Sequence, residues 1–285
     1  MRVVSIVGTR PQLVKLAPIS AALDKAGHAH TIVHTGQHYD ADLSDVFFSG
    51  LGLPDPDVHL GIGSGTHGVQ TGRALAALDP VLRQTAGDWA LVYGDTNSTL
   101  AGALSAVQQH LPVAHLEAGL RSFNRGMPEE HNRVLTDHAA DLLLATTEEA
   151  VRHLRSEGLA ERTELTGDVM VDVCFATRDA VRAGSAPPPP LPDGLPADRP
   201  YLLATVHRAE NTDPPGRLAA LLDALAALPL PVVLLAHPRL LDRAEARGLP
   251  LARENVHVSR PLPYAQLVAA VLGAHGVVTD SGGLQ

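Results

Sequence analysis

Three acidic residues, Asp95, Glu117 and Glu129, sit in one stretch of the chain, each in a closely specified setting. The local texts are Leu91-Val-Tyr-Gly-Asp95-Thr-Asn-Ser-Thr99, His115-Leu-Glu117-Ala-Gly-Leu-Arg121-Ser and Met127-Pro-Glu129-Glu-His-Asn-Arg133. Asp95 and Glu117 each follow a short apolar run that reads as a buried strand. Open α/β sheets place their ligand chemistry at the carboxyl ends of such parallel strands, and paired carboxylates there can move protons as general acid and base. Plainer uses compete. Asp95 can cap a helix, and glutamates in a first helical turn suit the helix dipole. Glu129 can pair with Arg133 at i,i+4. Glu117 is harder to place, because a buried carboxylate without a partner is costly; it pairs with Arg121 or works on a ligand.

Cationic and anion-binding segments complete the chemistry. Gly8-Thr-Arg10-Pro-Gln12 occupies a first strand-to-helix turn, and Arg10 with Lys15 puts positive charge where a helix amino end already favours anions. This is not the Gly-x-Gly-x-x-Gly dinucleotide fingerprint, so no nicotinamide or flavin cofactor is expected. Thr205-Val-His207-Arg208-Ala-Glu-Asn211 stands at another strand end, and His237-Pro-Arg at a further one. Val277-Val-Thr-Asp-Ser281-Gly282-Gly283 reads as a strand, a small-residue turn and a helix start, where glycines let a phosphate approach backbone N–H groups. Basic groups on one half and an anion-binding turn on the other suit a diphosphate held across a cleft.

The elements that must position these residues alternate from end to end. Strands are expected over 3–7, 31–34, 90–93, 113–116, 142–145 and 163–165, then over 201–206, 232–236, 256–258 and 277–279. Helices are expected over 11–26, 75–84, 98–109, 129–140, 169–182 and 217–227. Such alternation is the signature of βαβ units and a parallel sheet. The fold class is therefore α/β with two Rossmann-like domains, 1–167 and 168–285, whose strand-end rims face each other. The boundary falls near Gly167, and the prolines from 187 to 200 form a stiff linker or surface loop.

Composition narrows the partners. A chain of 285 residues accommodates two domains of ordinary size. A net charge of −9 argues against nucleic acid or an acidic membrane as the main partner. With one cysteine there is no intramolecular disulfide, which fits a reducing cytoplasm. No apolar run approaches the roughly 20 residues that span a bilayer. Fifteen histidines raise the question of a metal, but no Cys/His ligand spacing or His-Glu-x-x-His pattern is present, and no metal is expected.

Taken together, Gly8-Thr-Arg-Pro-Gln12, Thr35-Gly-Gln-His-Tyr-Asp40, Tyr93-Gly-Asp-Thr-Asn-Ser-Thr-Leu-Ala101, His115-Leu-Glu-Ala-Gly-Leu-Arg121, Pro128-Glu-Glu-His-Asn-Arg133, Val206-His-Arg-Ala-Glu-Asn211 and Thr279-Asp-Ser-Gly-Gly283 resemble the non-hydrolysing UDP-N-acetylglucosamine 2-epimerases. The resemblance covers essentially the whole chain in order. It implies a GT-B-like pair of domains and cofactor-free inversion at carbon 2 by elimination and re-addition of UDP. It implies catalytic roles for Asp95, Glu117 and Glu129, support or phosphate contact from Arg133 and His207, and substrate contacts from Arg10, Lys15, Arg121, Arg208, Asn211, Ser281, Gly282 and Gly283. A cytoplasmic homodimer acting on a UDP-sugar follows from the same likeness. The wording also resembles epimerases of UDP-2,3-diacetamido-2,3-dideoxyglucuronate. A GT-B glycosyltransferase, a hydrolysing epimerase and a non-catalytic nucleotide-sugar binder are the competing classes. The family continues beyond Ser-Gly-Gly-x-Gln, so the expectation at Gln285 is a partial chain with its second domain incomplete.

Overall fold

Strand β1 (Arg2–Val7) is buried at every residue but its first, because its alternate side chains enter apolar layers on both faces. Val4 and Ile6 join one layer, while Val3 and Val7 join the other. That is why these strands read as continuous apolar runs and not as alternating ones. The computed structural model describes every residue except 38–52, 193, 196–198, 283 and 285. Contacts divide the chain into two compact units, Met1–Val173 and Cys174–Gln285.

In the first unit β1 leads to α1 (Arg10–Lys25) and β2 (Ala29–His34), then β3 (Val58–His59) and α2 (His67–Thr85). Next come β4 (Trp89–Tyr93), α3 (Asn97–Gln108), β5 (Val113–Ala118), α4 (Pro128–Ala139), β6 (Leu142–Ala145), α5 (Glu148–Ser156) and β7 (Thr163–Leu165). All pairings are parallel, in the order β3-β2-β1-β4-β5-β6-β7. Leu78 and Leu82 of α2 and the alanines of α3 cover one face; Leu13 and Leu16 of α1 cover the other. α3 lies so close to the sheet that a Cβ at Gly102 would stand 3.0 Å from both Ile6 and Val92.

Helix α6 (Val169–Arg182) carries the chain from one unit into the next. The second unit holds β8 (Leu202–Thr205), α7 (Ala209–Thr212), α8 (Pro215–Ala226), β9 (Val232–Leu235), α9 (Pro238–Glu245), β10 (Val256–Ser259), α10 (Tyr264–Gly273) and β11 (Gly276–Thr279). Its parallel sheet runs β10-β9-β8-β11. Leu203, Val233 and Leu235 pack on one face, and Leu218, Leu222, Leu234 and Leu240 on the other.

Both sheets therefore reverse their strand order at one place. β1 has β2 on one side and β4 on the other, and β8 has β9 and β11. Crossovers leave such a point toward opposite faces, opening a crevice outside the carboxyl ends of the two central strands. Among the described residues, no helix is long and apolar enough to cross a membrane. No group of three or more His, Cys, Asp or Glu side chains among them could hold a metal ion.

Candidate active site

At the switch point of the first sheet, β1 delivers Arg10 to the start of α1, and β4 delivers Asp95. Gln12 knits the two turns together. Its Oε1 accepts from the Gly8 and Thr9 amides at 2.8 and 3.1 Å, and its Nε2 donates to the Tyr93 carbonyl at 2.7 Å. The cap of α3 is Thr96, whose hydroxyl accepts from the Thr99 amide at 3.3 Å. Asp95 is thus released from the capping duty open to it, and its carboxylate meets Arg133 Nη2 at 2.5 Å. The Asp95 carbonyl accepts from Asn132 Nδ2 at 3.0 Å, so α4 holds this turn by backbone and side chain together.

Glu117 stands where β5 slips register against β6, and its φ is +72°. For a non-glycine residue that conformation costs about 1–2 kcal/mol, and such strain persists only where the surroundings enforce it. Here it turns the carboxylate onto Lys15, with which it forms a short ion pair. Lys15 is only 8% exposed. Burial lowers its ammonium pKa, and the charges of Asp95 and Asp168 push the other way. Gly94 has φ +63°, and a Cβ there would lie 3.2 Å from Glu117 Oε2 and 3.3 Å from Lys15 Nζ. The positive φ favours glycine there, and a side chain would also press on the ends of Glu117 and Lys15.

Arg121 is neither Glu117's partner nor open to a ligand. Its side chain is 1% exposed and meets Asp137 and Glu157 at 2.7 Å each. Burial opposes its charge, but Glu157 and Asp137 outweigh burial and hold the guanidinium above its ordinary value. Arg121, expected to contact the substrate, is thus enclosed by two carboxylates.

The two glutamates that open α4 divide their work. Glu130 accepts from the Ser122 amide and hydroxyl and the Phe123 amide, each at 2.9 Å, and from Arg133 at 3.2 Å. Burial would raise its pKa, but the Ser122 and Phe123 donors and Arg133 bring it below the usual carboxylate value. Arg133 is spent on Asp95 and Glu130, so the i,i+4 pair open to Glu129 does not form. Glu129 is half-buried, and among the described residues none hydrogen-bonds or pairs with its carboxylate.

The second sheet gathers His207, Arg208 and Asn211 after β8 around one acid that follows β11. Asp280 accepts from the His207 amide at 3.1 Å, the Arg208 amide at 3.0 Å and Asn211 Nδ2 at 2.9 Å, and meets His207 Nδ1 at 3.0 Å. Burial works against its ionisation; the donors from Asn211, Arg208 and His207 prevail and hold its pKa below the ordinary value. Asp280 was not among the expected site residues. Its place after a switch-point strand, matching that of Asp95, is the signal that could have found it. His237 caps α9 by accepting from the Arg239 amide at 3.2 Å, and its ring centre is 5.6 Å from that of His207. Ser281 and Gly282 lie in the turn after β11, where the Ser281 amide donates to Thr279 Oγ1 at 2.9 Å. Gly283, like His38, Tyr39 and Asp40, lies outside the described residues.

The family model described as UDP-N-acetylglucosamine 2-epimerase matches residues 21–285. The chain belongs to this family. It is 45% identical over 292 residues to the UDP-2,3-diacetamido-2,3-dideoxy-D-glucuronate 2-epimerase of Pseudomonas aeruginosa, covering 100% of this chain and 79% of the relative. It is 38% identical to the UDP-N-acetylglucosamine 2-epimerase of Methanocaldococcus jannaschii, covering 100% and 80%. The crystal structure of the M. jannaschii UDP-GlcNAc 2-epimerase in complex with UDP-GlcNAc and UDP is similar with a TM-score of 0.85 at 37% identity, covering 100% of this chain and 80% of that one. The Neisseria meningitidis UDP-GlcNAc 2-epimerase bound to UDP-GlcNAc gives 0.85 at 28% identity, covering 100% and 79%. The fold is thus α/β with parallel sheets, like that of GT-B-like UDP-GlcNAc 2-epimerases, and the family is one of isomerases. In this epimerase-family chain both switch points carry the residues that can do chemistry: acids and cations in the first unit, and histidines with Asp280 in the second.

Proposed function

We propose that this chain is a non-hydrolysing 2-epimerase of a UDP-2-acetamido sugar. The observation that carries this reading is the pairing of Glu117 with Lys15 and of Asp95 with Arg133 beside the first switch point, in a chain of the 2-epimerase family. The carbon 2 proton is not adjacent to a carbonyl, so enolisation is closed. A carboxylate instead takes that proton, the bond from carbon 1 to the diphosphate oxygen breaks, and a carbon 1–carbon 2 double bond forms as UDP leaves. Re-addition of UDP with a proton delivered from the opposite face inverts carbon 2, and atoms and charge balance over the cycle. Carboxylates near the ring stabilise its positive character, while cations suit the departing diphosphate. Two of the acids already have cationic partners; Glu129 has a carboxylate that none of the described residues engages.

The 45% identity to the P. aeruginosa enzyme favours UDP-2,3-diacetamido-2,3-dideoxyglucuronate, ahead of the UDP-N-acetylglucosamine of relatives near 38%. Incubation with each sugar in deuterated water tests both levels. Epimerisation places deuterium on carbon 2 of the recovered UDP-sugar, and the preferred substrate exchanges faster. Asp95→Asn should slow exchange at least about 100-fold while UDP still binds. Release of free sugar, or no exchange with either compound, would remove the proposal.

A further inference from the structure

His115 and Asp137 are fully buried, carry none of the chemistry described above, and lie beneath it. His115 Nε2 is 2.7 Å from the Gly94 carbonyl, one residue before Asp95. His115 Nδ1 is 2.7 Å from Asp137 Oδ1. The other oxygen, Asp137 Oδ2, accepts from the Gly119 amide at 3.2 Å and from Arg121 Nη1 at 2.7 Å. His115 is itself two residues before Glu117, and Asp137 belongs to α4, which carries Glu129 and Arg133. One buried contact therefore joins the turn of Asp95, the strained strand end of Glu117 and the helix of the third acid.

The donors and acceptors assign the protons. A backbone carbonyl can only accept, so Nε2 carries a hydrogen. Asp137 Oδ2 faces the Gly119 amide and the Arg121 guanidinium, and an ion pair with a permanently charged guanidinium keeps the carboxylate ionised. An ionised carboxylate also only accepts, so Nδ1 carries a hydrogen too. The charged groups facing the ring are then Asp137 directly and Arg121 through it, with Glu157 beyond: two cations balanced by two anions. Such a fully satisfied buried network fixes geometry, because a half-satisfied one is strongly penalised.

We propose that His115 is a doubly protonated positioning residue which, with Asp137, locks the turns bearing Asp95 and Glu117 to helix α4 in one catalytic register. The effect on turnover rests on the epimerase reading; the protonation state does not. Long-range proton–nitrogen correlation on histidine-labelled protein at neutral pH should show both His115 ring nitrogens protonated. A neutral ring with one bare nitrogen would overturn the proposal. His115→Phe removes both bonds, His115→Asn retains a donor toward Asp137, and His115→Gln retains one toward Gly94. Displacement of reacting groups by about 1 Å costs on the order of 100-fold, so Phe and Asn should lower kcat by about that factor with KM little changed. Gln should recover at least about tenfold of the loss, because it restores the bond nearest Asp95. A folded Phe variant with wild-type kcat, or a parallel loss in kcat and UDP affinity across all three variants, would defeat the positioning role. If Phe does not fold, the Asn and Gln pair decides. If the wild-type protein turns over no UDP-sugar, the epimerase reading falls, while two protonated ring nitrogens would still uphold the lock.

Discussion

Lys15 and Glu117 form a pair in which both members occupy unfavourable states alone. Lys15 is buried at 8% exposure, and Glu117 holds a left-handed backbone. Removing one partner from such a pair leaves a charge without compensation, whereas removing both together can be nearly neutral. Urea denaturation of Lys15→Met, Glu117→Gln and the double variant should therefore reveal a coupling energy of about 1–3 kcal/mol. Additive losses would show that the contact contributes nothing to stability. Glu117→Gln should also abolish carbon 2 exchange. The pair would then be kept for the placement of its carboxylate, which is the reason a non-glycine residue tolerates φ +72° there.

At the scale of elements, one acid organises a whole turn in the second unit. Asp280 joins the end of β11 to the start of α7 by accepting from His207, Arg208 and Asn211 at once. In Asp280→Asn either orientation of the amide sets its NH₂ against at least one of these donors, and loss of such a charge-assisted bond at a partly exposed site costs about 1.5 kcal/mol. Calorimetry with UDP should register a loss of about tenfold or more in affinity, since 1.4 kcal/mol is tenfold. Unchanged binding would mean that this turn does not contact the nucleotide. Asp280 also shows what sequence leaves hidden. The apolar runs of β1, β4, β5 and β9 were legible because burial on both faces leaves no polar alternation to confuse them. α5 and α9 were not, since each buries only two side chains, Ala150 with Leu154 and Leu240 with Ala244. α2 was expected from residue 75 but starts at His67, because the glycines at 68 and 72 mask its helical pattern. Asp95, Lys15, Glu117 and Arg133, all singled out from sequence, form two ion pairs, yet that pairing was not legible. Arg121 matched a motif but turned inward to Asp137, a partner more than a helical turn beyond any local pattern.

Across the whole molecule, each unit has its own apolar core, and the single tryptophan, Trp89, lies in the first. Its fluorescence can therefore follow the unfolding of that unit alone, which allows an acid transition to be traced to its source. His34 ends β2 at 2% exposure, its ring stacked 5.0 Å from that of His59. Burial, then the neighbouring His59, lowers its pKa from 6.5 to about 4. The unfolded chain thus takes up a proton at this side chain before the folded chain does. The stabilisation is fully present above pH 6.5 and falls as the pH drops toward 4, by roughly 3 kcal/mol at most. His30, also lowered by burial and partly offset by Asp57, acts in the same direction. The carboxylates of Glu130, Asp137 and Glu157 are held below their ordinary values, so their losses come mainly at lower pH. The interval between about pH 6.5 and 5 accordingly isolates the histidines. His34→Phe keeps a ring beside His59 but cannot titrate. Urea midpoints read from Trp89 should fall less between those two pH values in the variant than in the wild type. Equal falls would place the acid sensitivity of this unit elsewhere.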